Sequence, residues 1–387
     1  MIEITFAILL LYCKYRERLW KFSYDDLNSY IEKKEHRLGI KKWAVLLTGI
    51  LMLALFFYVR PASHCAFMGK HYAQLALDPF AFYADNPVPH RVLTSLISYL
   101  IGLRGQLVII TNLFFASSLI WCVYIYFRTK LDRPADAFFA SVIIAFSLVS
   151  LNTVYYGGYN DSLSYLLIFL IWLARNRKLL FFSLFFLGLL NRESIVFLIP
   201  WFLMMSFENK QINFTRILVL AIGFAASLTL YYLYIRWTMT GHGNVYSPSQ
   251  YLGSFLEHPL EILRIQLPNL GLAFFSVFKL MWIIPLSAIL LMWKNKEKHH
   301  IVSMVMLIVC SALQLFFAWD TTRLLTLSFM IMPISLLYLF GCRQSQIRSW
   351  LIPIFILNLL VPNINVAAVK IDVLHSLISY AILYWSR

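Results

Sequence analysis

Residues 179–205 read LLFFSLFFLGLLNRESIVFLIPWFLMM, one apolar run interrupted by Asn191, Arg192 and Glu193. How this run is threaded decides the fold. As a single span it reverses every later loop and puts residues 294–300, KNKEKHH, on the outer side. Basic loops stay on the cytoplasmic side of a membrane, so the run reads instead as a hairpin. Each arm then has about twelve residues, roughly 18 Å at 1.5 Å per residue. That is shorter than the roughly 30 Å of hydrocarbon, so the polar tip sits below the outer surface. Polar groups at such depth are tolerated only against a wet or protein-filled cavity.

The composition agrees with a membrane setting. Of 387 residues, 60% are hydrophobic and 13% charged, against about 25% charged in soluble domains. Apolar runs recur at lengths that suit α-helices crossing a bilayer, and no alternating strands suggest a barrel. The expected fold is an all-α integral membrane protein with helical outer loops. The net charge of +15 does not indicate nucleic acid as a partner. The basic residues fall in short clusters between apolar runs, which is the positive-inside pattern. Five scattered cysteines, Cys13, Cys65, Cys122, Cys310 and Cys342, show neither CxxC spacing nor a disulfide framework.

Working outward from the hairpin, residues 1–42 form a basic and aromatic N-terminal segment, cytoplasmic or interfacial, suited to anionic membrane lipids. The first ten or so residues are apolar but too short to span unaided. Residues 43–387 form one polytopic domain. Spans are expected at 43–59, 106–127, 135–151, 163–174, 217–237, 271–293, 301–317 and 324–340, with a last hairpin of 350–361 and 372–385. Residues 60–91 make an outer loop of about thirty residues, long enough to carry helical structure or function. Residues 92–102 read as a helix on the outer surface, and 238–270 as a second large outer loop. The sum is about twelve transmembrane or half-spanning helices with both termini cytoplasmic. Most of the 33 Lys and Arg then fall on the cytoplasmic side.

On this map the unusual polar groups share the outer side. The first loop carries DPFAFYADNPVPHRV, residues 78–92, with Asp78, Asp85, His90 and Arg91. Asp161 follows the turn YYGGYN, Arg192 and Glu193 form the buried hairpin tip, and Asp320 and Arg323 lie in AWDTTR. Ionisable groups near membrane depth cost several kcal/mol unless paired or hydrated, so they are functional candidates.

A long acidic first outer loop, an Arg-Val-Leu element after it (Arg91-Val92-Leu93), the Asn160-Asp161 after a Tyr/Gly turn, Asn191-Arg192-Glu193 in an apolar run, and a late Asp320-x-x-Arg323 resemble the GT-C membrane glycosyltransferases. The likeness is to bacterial polytopic enzymes that use polyprenyl-phosphate-linked sugars. It covers most of residues 43–340 and rests on topology and short motifs. It implies inverting sugar transfer at the outer face, from a lipid-linked sugar donor to a glycan, lipid or protein acceptor. Asp85 is its best match for the first-loop carboxylate, as general base or as ligand of a divalent cation such as Mg or Mn; Asp78 is the fallback. The soluble C-terminal domain of some members has no counterpart here. The chemistry is coherent. An acceptor hydroxyl needs a carboxylate within hydrogen-bond reach, and a departing lipid phosphate needs positive charge. Arg91, Arg192 and Arg323 can supply it bidentately. His90, Tyr159, Asp161, Glu193 and Asp320 complete the candidate substrate-binding set, and Tyr155 and Tyr156 offer further faces to a sugar.

Each candidate also has a plain reading. Asp85 suits an Asx turn with Asn86-Pro87, and Asp78-Pro79 a turn or cap. Asp161 suits a helix cap. Arg192 and Glu193 suit pairing between helices, and Asp320 and Arg323 a local pair three residues apart. The tyrosines suit an interfacial belt. Two other functions compete. A transporter or flippase of lipid-linked sugar predicts internal repeats, and none is visible. The other is a polysaccharide polymerase or acyltransferase of the outer face; a polymerase predicts several arginines in large outer loops, and the second such loop offers Arg264 alone.

Overall fold

A computed structural model describes residues 24–65, 67–81, 86–206, 214–240, 259–317, 320–342, 345–367 and 369–374. The apolar first ten residues, Asp85, and most of the second large outer loop lie outside the described residues.

The described residues are helical almost throughout. Among the described residues, six helical stretches are long and apolar enough to cross a membrane: Ile40–Tyr58, Gly105–Lys130, Ile217–Thr238, Pro259–Lys294, Lys298–Phe316 and Thr321–Gly341. A seventh arises if Pro134–Ala145 and Leu148–Tyr155, bent by 45°, count as one. Four shorter apolar helices, Asp161–Leu173, Lys178–Asn191, Glu193–Ser206 and Trp350–Leu360, fall below that length. The expected count of about twelve included such pieces as segments in their own right.

Helix α1 (Tyr24–Leu38) is polar and docks on the rest through charge. Its Glu35 accepts from Tyr124 Oη at 2.6 Å and from Arg128 Nε at 2.8 Å, and its Tyr24 donates to Asp136. Asp136 also takes two bonds from Arg348, at 2.9 and 2.8 Å. One end of the bundle is therefore stitched by Glu35–Arg128 and Asp136–Arg348. Helix α2 (Ile40–Tyr58) runs away from that end. Helices α3 (Met68–Leu77) and α4 (Leu93–Leu100) follow as short, half-buried pieces, so the loop expected over 60–91 carries helical structure.

The centre is built by α5 (Val108–Lys130), α6 (Pro134–Ala145), α7 (Leu148–Tyr155) and α8 (Asp161–Leu173). Nearly every residue of α6 to α8 is buried. A helix apolar on all sides belongs either in a core or in lipid, and burial assigns these to the core. The span Thr321–Gly341 is likewise 78% buried, whereas Ile217–Thr238 is only 22% buried and sits at the rim.

The run 179–205 folds back on itself. Helix α9 (Lys178–Asn191) ends at Arg192, whose backbone is extended (φ −160, ψ 114), and a 3₁₀ turn, Glu193–Leu198, leads into α10 (Ile199–Ser206). Phe181 near the start of α9 and Phe202 in α10 have ring centroids 5.9 Å apart. Twenty-one residues of continuous helix put them roughly 30 Å apart, so the two arms are antiparallel. Phe224 of α11 (Phe214–Thr240) closes the stack, 5.8 Å from Phe181 and 5.0 Å from Phe185.

Helices α12 (Pro259–Phe278) and α13 (Ile283–Lys294) flank a 3₁₀ break; α14 (Lys298–Leu313), α15 (Thr321–Leu325), α16 (Ile331–Gly341) and α17 (Ser345–Leu360) complete the helices. Two expectations are corrected here. Residues 259–270 are helical and not part of a loop, because the apolar residues from Leu260 onward extend the following span. Asp372 does not begin a helix. It lies in β2 (Lys370–Leu374), paired antiparallel with β1 (Asn363–Ala367) in a register from Asn363↔Leu374 to Ala367↔Lys370. The all-α description therefore needs one β-hairpin added.

Candidate functional site

Helix α8 begins with Asp161, and the hairpin tip holds Arg192 against it. Arg192 Nη1 donates to Asp161 Oδ1. Arg323, from α15, donates to the same carboxylate through Nε (2.7 Å) and Nη2 (3.0 Å). Its third edge, Nη1, reaches Asp320 Oδ2 at 2.5 Å, and its plane lies 4.1 Å from the centre of the Tyr159 ring. Beside this, Arg91 Nε donates to Glu193 Oε2 at 2.8 Å, its Nη2 to Oε1, and its Nη1 to Tyr72 Oη at 3.2 Å. His90 Nε2 stands 3.5 Å from Glu193 Oε2. The two groups are joined through the Arg192–Glu193 backbone.

The local sequence explains how the charges are aimed. Asn160 and Asn191 each precede one member of the Asp161–Arg192 pair, and each bonds the backbone of the other. Asn160 Nδ2 donates to the Asn191 carbonyl at 2.5 Å, and Asn191 Nδ2 to the Asn160 carbonyl at 2.8 Å. Asn191 also binds Ser164 Oγ and accepts from Thr94 Oγ1 at 2.6 Å. The broken end of α9 is thus satisfied by side chains, as a buried helix terminus requires. Gly157 and Gly158 let the turn before Asp161 press on the first outer loop. A Cβ on Gly158, whose φ is +88, meets Cys65 Sγ at 2.6 Å, and one on Gly157 meets Ala62 Cβ at 2.8 Å.

Of the sequence candidates, the fold brings together His90, Arg91, Tyr159, Asp161, Arg192, Glu193, Asp320 and Arg323. It does not bring Asp78 into these bonds. Asp78 is exposed, caps α3 and accepts from the Phe80 backbone N–H at 2.9 Å, which is the Asx turn. Asp85 lies outside the described residues. Tyr72, Asn160, Asn191, Thr94 and Ser164 were not among the candidates. Asn160 and Asn191 stood in the motifs that were quoted; Tyr72 had no signal apart from its place in the first loop.

Three guanidiniums face three carboxylates, and they are not equally enclosed. The Asp161 side chain is 2% exposed, those of Arg192 and Arg323 6%, Arg91 15%, Glu193 29% and Asp320 39%. The cluster therefore opens past Asp320 and Glu193. Burial pushes the Tyr159 phenol up to about 12, against the opposing pull of Arg323, so Tyr159 remains a neutral ring and O–H donor at neutral pH. No group of three His, Cys, Asp or Glu suited to a metal ion occurs among the described residues. Asp161 and Glu193 spend their oxygens on guanidiniums, and Asp85, the candidate ligand of Mg or Mn, lies outside the described residues.

The protein so defined is a helical, multi-pass-type chain with a buried ionic cluster at the end of the bundle opposite Glu35–Arg128. Comparison with known families, with curated proteins and with solved structures found no match to it.

Proposed function

We propose that this chain is a GT-C-like glycosyltransferase of a bacterial inner membrane, moving a sugar from a polyprenyl-phosphate donor to a glycan, lipid or protein acceptor at the non-cytoplasmic face. One observation carries the reading. Arg91, Arg192 and Arg323, distant in sequence, converge with Asp161, Glu193 and Asp320 at one end of the bundle. The opposite end carries the basic Arg128 to Arg133 stretch, which suits the cytoplasm and would place both termini there.

The roles follow from enclosure. Asp161 is the fixed centre that orients two guanidiniums. Arg323 and Arg91 lie next to the open side, where negative charge on a departing phosphate needs stabilising. A phosphate approaching there competes with Asp320 and Glu193 for the outer guanidinium edges. Tyr159 holds the Arg323 plane from behind and does not offer its face to a sugar. The resemblance gives deprotonation of the acceptor to Asp85, which lies outside the described residues; Asp320 is the most exposed carboxylate of the cluster. The broken helices at Phe146–Ser147, Arg192 and Lys279 keep a transporter of lipid-linked sugar as the alternative.

The test is transfer of radiolabelled sugar in membranes given polyprenyl-phosphate donors, together with mass spectrometry of surface glycans and lipid-linked sugars after gene deletion. Transfer lost in Asp85→Asn at normal expression supports the reading. Full transfer by Asp85→Asn removes that residue from the mechanism. Movement of intact donor across the bilayer without transfer establishes the transporter instead.

A further inference from the structure

Lys279 stands alone in an otherwise apolar stretch, at the 3₁₀ break between α12 and α13. It is 2% exposed and takes a φ of +50, which is unusual for a residue with a side chain. Such backbone strain persists where the surroundings over-determine it. The ammonium donates to the Asn358 carbonyl (2.7 Å), the Val361 carbonyl (2.9 Å) and Asn363 Oδ1 (2.8 Å), with Tyr58 Oη at 3.5 Å. All its partners there are neutral oxygens. The adjoining cavity holds about 10 Å³, the room of roughly one water and not of a counter-ion.

The three oxygens nearest Lys279 belong to one turn. Asn358 and Val361 are at the C-terminal end of α17, where helix carbonyls lack partners and a cation is favoured. Tyr58 Oη donates to the neighbouring Leu359 carbonyl at 2.8 Å, and the Met281 N–H to Asn358 Oδ1 at 3.3 Å. Asn363 is the first residue of β1. Lys279 therefore ties the exit of a helix to the entry of the hairpin.

The hairpin in turn touches the elements that carry the ionic cluster. Asn365 Nδ2 donates to Tyr156 Oη at 3.0 Å, and Tyr156 Oη to Asp372 Oδ2 at 3.4 Å. The Val366 N–H donates to Thr322 Oγ1 at 2.8 Å, one residue before Arg323. The Tyr156 ring lies 5.5 Å from that of Tyr159, which backs Arg323.

We propose that Lys279 is a positioning residue: its ammonium fixes the 358–363 turn and thereby seats the β1–β2 hairpin against Tyr156 and Thr322 as a wall of the charged cluster. The three N–H donors of an ammonium match the three acceptors here, which no neutral side chain satisfies at once. The wall is a property of the cluster whatever reaction the cluster performs.

The test is hydrogen exchange by mass spectrometry on the full chain in nanodiscs, with Lys279→Met and Asn363→Ala. In Lys279→Met the hairpin amides exchange at least tenfold faster while residues 134–173 keep their protection. Unchanged hairpin exchange overturns the proposal. If Lys279→Met loses protection everywhere, Asn363→Ala decides: faster exchange confined to the hairpin supports the tether, and unchanged exchange removes it. A second readout concerns the wall. Thr322→Cys is inert to a water-soluble maleimide beside Lys279 and becomes reactive in whichever of the two variants frees the hairpin. Continued inertness with a freed hairpin shows that the hairpin covers nothing, and overturns the proposal.

Discussion

At the scale of single residues, the cluster separates charges that hold the fold from charges that face solvent. Asp161 serves Arg192 and Arg323 together, with all three side chains nearly enclosed. Removing one member of a buried pair leaves an uncompensated charge and costs about 3–5 kcal/mol. Asp161→Asn is therefore expected to lower unfolding stability in detergent by that order. Asp320→Asn, at a side chain 39% exposed, is expected to change stability by less than about 1 kcal/mol. Equal losses in the two variants contradict this division. It also ranks the variants as probes, since activity lost in Asp320→Asn reports on chemistry and in Asp161→Asn on folding. The candidates Arg91, Asp161, Arg192, Glu193 and Arg323 were legible as charges out of place in apolar surroundings. Lys279 fits that description equally, but a single Lys in a long apolar span gives no sign of what it binds. The partner choices were not legible, because Asp161 and Arg323 meet across 162 residues and no local pattern records such a meeting.

At the scale of elements, the informative piece is the antiparallel pair α9 and α10. The arithmetic of two short arms and a polar tip anticipated the reversal, and the Phe181–Phe202 contact at 5.9 Å shows it. Phe202 fills the space between Phe181 and Phe185, at 5.9 and 6.0 Å. Phe202→Ala leaves a cavity there, and large-to-small changes of this kind cost about 3–5 kcal/mol. The expected outcome is a protein that unfolds at lower denaturant, with the 193–206 arm losing hydrogen-exchange protection first. Loss that begins instead in α5 or α6 contradicts the packing. The β-hairpin was not legible. Each strand has five residues, too few for alternation to outweigh an apolar run that reads equally as helix. Its seat comes from distant partners, Tyr156 and Thr322, and not from its own propensity.

At the scale of the whole molecule, two polar ends oppose one another across an apolar middle. Glu35–Arg128 and Asp136–Arg348 mark one end, and Asp161–Arg323 the other. The reversal at Arg192 keeps these groups apart: a straight 179–205 helix would carry α11 and everything after it to the wrong end, and Arg323 would not reach Asp161. The agreement of Arg323 with Asp161, and of Arg348 with Asp136, therefore fixes the relative threading of the early and late halves. The positive-inside rule makes the Glu35 end, where Arg128, Lys130 and Arg133 gather, the proposed cytoplasmic end. In a chain whose native cysteines are replaced, Ser63→Cys, at an exposed position beyond α2, is expected to react with a membrane-impermeant maleimide added to intact cells. Ser345→Cys, at the start of α17, is expected to react only after the cells are opened. The opposite pattern inverts the orientation, puts the ionic cluster on the cytoplasmic side and contradicts the proposed outer-face reaction. Reaction of both from outside contradicts the threading itself, because α2 and α17 would then no longer start from the same end.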